Sequence, residues 1–311
     1  MQYVTIADLS KLIMKNVYRI PHDIDLVVGV PRSGLLPANI ISLYLNVRLT
    51  DIDSFVQHRV YNSGYRMKSR EECPIKKVLV VDDSVQSGRA IMEAKRKLME
   101  LGNEYEILYL APIVTSEGAA LVDIYFTVID EFRLFEWNIF HHRSLSNACL
   151  DIDGVLCKDP VTDDDGPMYR EFLKTAQPLF IPTVPVKTLV SCRLEKYREL
   201  TEKWLSEHNV QYEELIMLDF PDKVARMKWG RHGEYKASCY KKSGATLFIE
   251  SSAKQAEIIA RISRKPVLCV QTNKLLDYGL TYDNSKRFFS THFPKLFQLA
   301  QRLVGKVRKK V

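Results

Sequence analysis

The chain has 311 residues, 46% hydrophobic and 27% charged, with a formal charge of +7, an ordinary composition for a soluble globular protein. No apolar run reaches the roughly 18 residues needed to span a bilayer. Met1–Asp8 also lacks a basic region followed by an apolar stretch, so a secretory signal is not expected. The six cysteines form no Cys-x-x-Cys pair and read as reduced thiols of a cytoplasmic protein, not staples or zinc ligands; no aromatic-and-basic motif points to nucleic acid.

The length suits two domains of about 150 residues each. Asp25–Val30 is a short apolar run predicted as a buried strand, ending in Pro31-Arg32-Ser33-Gly34, and Leu35–Leu45 follows as a helix. The polar, basic stretch 57–77 has no clear period and is read as a long loop acting as a lid. Lys76–Val81 is the next predicted strand, and Arg89–Leu101 the next helix, ended by Gly102. Glu106–Ile113 and Ile124–Ile129 complete the first set of strands. The pattern restarts at Asn147, with strands ending at Leu150 and covering Lys187–Ser191, Gln211–Leu218, Ala245–Glu250 and Pro266–Gln271. Leu194–His208 and Ala253–Ile262 are its helices. Strands alternating with helices predict an α/β protein of two doubly wound parallel-sheet domains, divided as 1–146 and 147–311.

Two sites follow from this order. Ligands of open parallel sheets sit at the carboxyl ends of the strands. Asp82 and Asp83 lie at such an end, where adjacent carboxylates can accept hydrogen bonds from two vicinal ribose hydroxyls. Ser84-Val85-Gln86-Ser87-Gly88 then opens a helix, offering backbone N–H groups, small side chains and a glycine as a phosphate cradle. Strand, acid pair and cradle in this order resemble the phosphoribosyl-pyrophosphate-binding signature of the type I phosphoribosyltransferases. Gln86 departs from it, standing where that family usually has a small residue, often Thr. Arg32, Ser33 and Gly34 resemble the family's pyrophosphate loop. In the lid, Arg59, Arg66, Lys68 and Arg70 are candidate phosphate contacts, with a solvated basic loop as the plain alternative. The resemblance implies displacement of pyrophosphate at the anomeric carbon, with Mg²⁺ bridging pyrophosphate and ribose hydroxyls. The positive net charge is consistent with phosphorylated ligands.

The second site begins at Asp151-Ile152-Asp153-Gly154 after an apolar strand. The first carboxylate of such a pair can attack phosphorus, and the second can protonate the leaving oxygen and then activate water. This resembles the first motif of the haloacid-dehalogenase-like phosphatases. By that resemblance Ser191 binds the phosphoryl group and Lys236 stabilises its charge, with Lys223, Lys228 and Lys241 as competitors. Asp151, Asp153 and Glu250 would hold Mg²⁺, although that family commonly has two acids where Glu250 stands alone. The plain alternatives are a capped turn for the aspartates and an ordinary surface lysine for Lys236. Residues 157–185 fall where the family places a variable cap, and would otherwise be a solvated loop.

A phosphoribosyl transfer followed by removal of the 5-phosphate leaves a ribofuranosyl group. The domain order resembles bifunctional bacterial ribofuranosyltransferases of polysaccharide biosynthesis, which implies phosphoribosyl pyrophosphate as donor and a glycan, in one version lipid-linked, as acceptor. The aromatic stretch 130–142 is read first as interdomain packing, and alternatively as a sugar platform built on Trp137 with Glu136 or His141. Asp130 or Glu131 is placed to serve as acceptor base. The basic amphipathic stretch 287–311 is read first as a helix packed on its own domain. Its alternative, peripheral contact with an anionic membrane, would set the protein at the inner face of that membrane. Two other functions stay open: nucleobase salvage fused to a nucleotide phosphatase, and a non-catalytic sensor of phosphoribosyl pyrophosphate.

Overall fold

Leu26–Gly29 has no polar side chain to offer either face of a sheet, and all four residues are buried. Such a strand is stable only with both faces covered. In the computed structural model, which describes residues 1–61, 74–102, 104–161 and 165–279, β1 is Gln2–Val4 and this run is β2. β3 (Arg48–Asp51), β4 (Lys77–Val81), β5 (Ser84–Val85), β6 (Glu106–Val114) and β7 (Ile124–Val128) follow. The sheet order is β3-β2-β4-β6-β5, with β7 also paired to β6, and every pairing is parallel.

Alternate residues of these strands build two cores. Val27, Leu79 and Val81 face Leu9 and Ile13 of the helix Ile6–Asn16 and Ala38 and Ile41 of the helix Leu35–Leu45. Leu26, Val28, Val78 and Val80 form the second core with Ile52 and Phe55 and with Ala94 and Leu98 of the helix Arg89–Leu98. Each fully buried Leu, Ile or Val contributes about 1.5–3 kcal/mol, so both layers are strongly specified. Gly29 lies opposite Val81 in the register of β2 and β4. The segments after these two strands therefore leave the sheet side by side. A further parallel pair, β1 with β8 (Arg133–Phe135), is absent from the sequence expectation; it carries the chain from Arg133 to Trp137 back over the first unit.

The chain divides into compact units at Met1–Trp137 and Asn138–Val311, nine residues before the sequence-based boundary. Residues 138–147 belong with the second unit because Leu145 is buried there and Thr246 N–H donates to the Asn147 carbonyl. The second sheet holds β9 (Ala148–Leu150), β10 (Val186–Leu194), β11 (Tyr212–Leu218), β12 (Leu247–Glu250), β13 (Val267–Cys269) and β14 (Lys274–Leu276). Its order is β11-β10-β9-β12-β13-β14, parallel except for the last pair. The expected α/β class with parallel sheets is borne out. Three helices of this unit escaped the sequence reading, Pro167–Thr175, Lys223–Trp229 and His232–Lys242, as did Ile6–Asn16 and Ile52–Val56 in the first unit. Pro167–Thr175 lies within the stretch read as cap or loop, and packs Tyr169 edge-on against Tyr197 at 5.2 Å. Among the described residues no helix is long and apolar enough to cross a membrane. The stretch 287–311, Arg66, Lys68 and Arg70 lie outside the described residues.

Candidate functional site

The first unit brings two loops together at the ends of β2 and β4. Val30 N–H donates to the Val81 carbonyl at 2.9 Å. A Cβ on Gly34 would stand 2.5 Å from the Val30 oxygen, 2.8 Å from the Val81 oxygen and 2.9 Å from the Asp82 Cα. Only glycine allows the Arg32–Gly34 turn to lie this close to the acid pair. Arg32 is exposed and Ser33 half-buried beside it, and the Pro31–Arg32 peptide is cis.

Asp82 and Asp83 are 5% and 7% exposed. Asp82 Oδ1 accepts from Asp83 N–H, and Asp83 Oδ1 from Ser84 N–H, both at 2.9 Å. Burial first, and then the neighbouring charge of Asp83, pushes Asp82 up to about 7. Asp83 Oδ2 accepts the indole N–H of Trp137 at 3.0 Å, and that indole stacks on Phe135 at 4.7 Å.

The cradle is narrower than its sequence. Ser84 and Val85 pair with β6, and the Val85 side chain packs with Ile91, Ala111 and Val114. The open part is Gln86-Ser87-Gly88. Gly88 takes a φ of +70° as it starts the Arg89–Leu98 helix, a conformation that favours glycine. Gln86 Oε1 accepts from Arg133 Nη2 at 3.2 Å. Of the lid cations, Arg59 is described; it is exposed, and its guanidinium bonds the Gln57 side chain.

Two residues of the aromatic stretch have other work. Glu136 Oε2 accepts Ile6 N–H at 2.7 Å, capping the first helix. Asp130 accepts the N–H and hydroxyl of Ser116, each at 2.7 Å, which holds its carboxyl below the usual range. An acid stabilised in its charged form is a poor proton acceptor, so Asp130 is ill suited to the role of acceptor base.

In the second unit, β9, β10 and β12 deliver Asp151, Arg193 and Glu250 toward one region. Lys236 comes from the helix His232–Lys242. A Cβ on Gly233 would lie 2.9 Å from Ile258, so glycine lets this helix approach the helix Ala253–Ser263 closely, while Ala237 and Tyr240 anchor it in the core. Lys236 is 2% exposed, and its ammonium donates to Asp151 Oδ2 and Glu250 Oε2, both at 2.7 Å. Lys228 and Lys241 are exposed, and Lys223 starts another helix with its N–H on Asp165. Burial opposes the charge of Lys236, but Asp151 and Glu250 prevail and raise its pKa. Burial raises Asp151 well above the usual carboxylate range, Lys236 pulling the other way.

Asp153 is held by a residue to which the sequence reading gave no role. Arg193 is 1% exposed and reaches the Asp153 carboxylate through Nε at 3.1 Å and Nη2 at 2.7 Å. Its Nη2 also donates to Cys157 Sγ at 3.2 Å, and Nη1 to Thr201 Oγ1 at 3.3 Å. A cavity of about 440 Å³ is lined by Asp151, Asp153, Asp159, Cys192, Lys236 and Ser251, among others. Ser191 does not line it: its side chain is fully buried and accepts from Arg193 N–H at 3.1 Å. Cys192, the next residue along β10 and so on the opposite face, lines the cavity instead.

The donors suit a hard cation in type and charge. Asp151, Asp153, Asp159 and Glu250 face Lys236 and Arg193, a surplus of two negative charges when all are ionised. Burial and that surplus raise Asp159. As they stand, Lys236 and Arg193 occupy the inner carboxylates, and among the described residues no three acidic, histidine or cysteine groups converge as a metal cluster.

Residues 3–143 match the phosphoribosyl transferase domain family. The match covers the acid pair, both loops and Trp137, and bears out the first resemblance. Phosphoribosyl transfer is thus the general chemistry of this part of the chain. The chain is also similar to solved structures over part of its length. A purine phosphoribosyltransferase from Pyrococcus horikoshii Ot3 has 19% identity and a TM-score of 0.33, over 44% of this chain and 92% of that one. The xanthine-guanine-hypoxanthine phosphoribosyltransferase of Helicobacter pylori has 16% identity and a TM-score of 0.34, over 44% and 95%. An orotate phosphoribosyltransferase from Aeropyrum pernix has 23% identity and a TM-score of 0.28, over 36% and 60%.

Proposed function

We propose that this protein moves a 5-phosphoribosyl group from phosphoribosyl pyrophosphate to a glycan acceptor and then removes the 5-phosphate, leaving a ribofuranosyl residue. The observation that carries the second step is the buried ammonium of Lys236 between Asp151 and Glu250 beside the cavity. A pair of buried acids with one shared cation beside a polar cavity suits a phosphate better than it suits a packed core.

At the first site Asp82 and Asp83 take the ribose hydroxyls, Arg32 with the Ser33 and Gly34 amides faces the pyrophosphate, and Gln86-Ser87-Gly88 cradles the 5-phosphate. Pyrophosphate leaves as the acceptor oxygen bonds the anomeric carbon, the acceptor's hydroxyl proton passing to Glu131, the remaining candidate base. The carboxylates beneath the ring favour the positive charge that develops on it. At the second site an Asp151 oxygen attacks phosphorus and the sugar alkoxide departs with a proton from Asp153. Asp153 then takes a proton from water as the water oxygen attacks the aspartyl phosphate, which releases inorganic phosphate and restores Asp151. Lys236 offsets the added charge. Mg²⁺ held by Asp151, Asp153 and Glu250 would supply the rest of the counter-charge. The acceptor is read as a glycan, in one version lipid-linked, and the location as the cytoplasm, in that version at the inner face of a membrane.

The test incubates the protein with phosphoribosyl pyrophosphate, Mg²⁺ and panels of glycans and nucleobases, with products read by mass spectrometry. Conversion of a glycan supports the reading. Conversion of a nucleobase alone transfers it to salvage, and no turnover with either panel transfers it to sensing.

A further inference from the structure

Arg133 is 92% buried by its 8% exposure, yet its Nη1 has no hydrogen-bond partner among the described residues. A buried cation with an unsatisfied donor is costly, and native structures keep few of them. The acids near it do not reach Nη1. Asp83 accepts from Ser84 N–H and the Trp137 indole. Asp130 accepts the N–H and hydroxyl of Ser116. Among the described residues its guanidinium makes one side-chain hydrogen bond, Nη2 to Gln86 Oε1 in the cradle itself. Burial lowers the pKa of the guanidinium, with Asp83 and Asp130 opposing, but an arginine stays charged at any physiological pH.

We propose that Arg133 is a phosphate-recognition residue of the first site, taking a ligand's phosphate monoester through the free edge of its guanidinium while Gln86 fixes its orientation. The inference rests on the phosphoribosyl reading of that site. It gives Gln86 a role in place of the small hydroxyl residue expected there: the long amide holds an arginine that brings a full positive charge to the cradle. The planar fork of arginine matches two phosphate oxygens, which a lysine cannot do. The β1–β8 pair places Arg133, so the recognition residue and the indole on Asp83 come from the same short strand and its extension.

Titration calorimetry with ribose 5-phosphate and with inorganic pyrophosphate tests this on the full chain, as wild type, Arg133→Met and Arg133→Lys. Met fills a similar volume without charge and should keep the fold, because replacing a poorly compensated buried charge by an apolar group is often neutral. Arg133→Met is expected to weaken ribose 5-phosphate about tenfold or more and leave pyrophosphate within about twofold, with Arg133→Lys in between. If Arg133→Met does not fold, a loss of about threefold in Arg133→Lys, confined to ribose 5-phosphate, carries the same conclusion. Unchanged ribose 5-phosphate affinity, or an equal loss for both ligands, overturns the role of Arg133 alone. Failure of the wild type to bind ribose 5-phosphate overturns the inference together with the reading of the site.

Discussion

The indole N–H of Trp137 donates to Asp83 Oδ2 at 3.0 Å, tying the end of the β1–β8 strand pair to the acid pair after β4. Under the proposed function this makes Trp137 part of the ribose site. Trp137→Phe keeps the stack on Phe135 and removes the donor. A hydrogen bond to a charged group contributes about 1.5–3 kcal/mol to the folded protein, so the melting temperature should fall by several degrees, and KM for phosphoribosyl pyrophosphate should rise roughly tenfold as Asp83 loses its anchor. Steady-state kinetics and a thermal melt decide it; an unchanged KM would remove Trp137 from the site.

Asp82 is a strained choice at neutral pH. Its folded pKa, about 7, lies above its ordinary value of 3.8, so folding favours the protonated form. The stability is fully present below the ordinary value and declines as pH rises toward 7. Asp82→Asn removes this decline. Its gain over wild type should be small at pH 4.5 and reach ~1–3 kcal/mol at pH 8, with phosphoribosyl transfer lost. Urea unfolding at the two pH values measures the difference; an equal gain at both would contradict the assignment.

Lys236 neutralises two buried carboxylates. Lys236→Met strands both, and should cost about 3–5 kcal/mol as well as the phosphatase step. Adding Glu250→Gln should return part of the stability and none of the activity. A single variant as stable as wild type would mean that the two acids are not charged together.

Gly34→Ala places a methyl group 2.5 Å from a backbone oxygen that no side chain can relieve. The Arg32–Gly34 turn must shift away from Asp82. Pyrophosphate affinity should fall at least about tenfold, with the rest of the core intact. Binding indistinguishable from wild type would separate this turn from the ligand.

How much the sequence disclosed depended on the range of the signal. Leu26–Gly29 and Lys77–Val81 are apolar on both faces, and Asp82-Asp83 follows directly, so strand and site were legible together. Lys236 was picked from four lysines, and its burial follows from a glycine at 233 that lets two helices close. The role of Arg193 was not legible, because its partner Asp153 lies 40 residues away in sequence and no local pattern pairs them. Ser191 stands on the face of β10 away from the cavity, its hydroxyl accepting from Arg193 N–H. Arg133 was missed because its value lies in a pairing between Gln2–Val4 and Arg133–Phe135 that spans the whole first unit. A single-strand pattern of three residues carries no such information.

The most direct test of two consecutive steps is mass spectrometry of the acceptor after incubation of Asp151→Asn with phosphoribosyl pyrophosphate and Mg²⁺. The account predicts that this variant accumulates the phosphoribosylated acceptor where wild type yields the ribosylated one, a difference of one phosphate. Identical products from both proteins would contradict it.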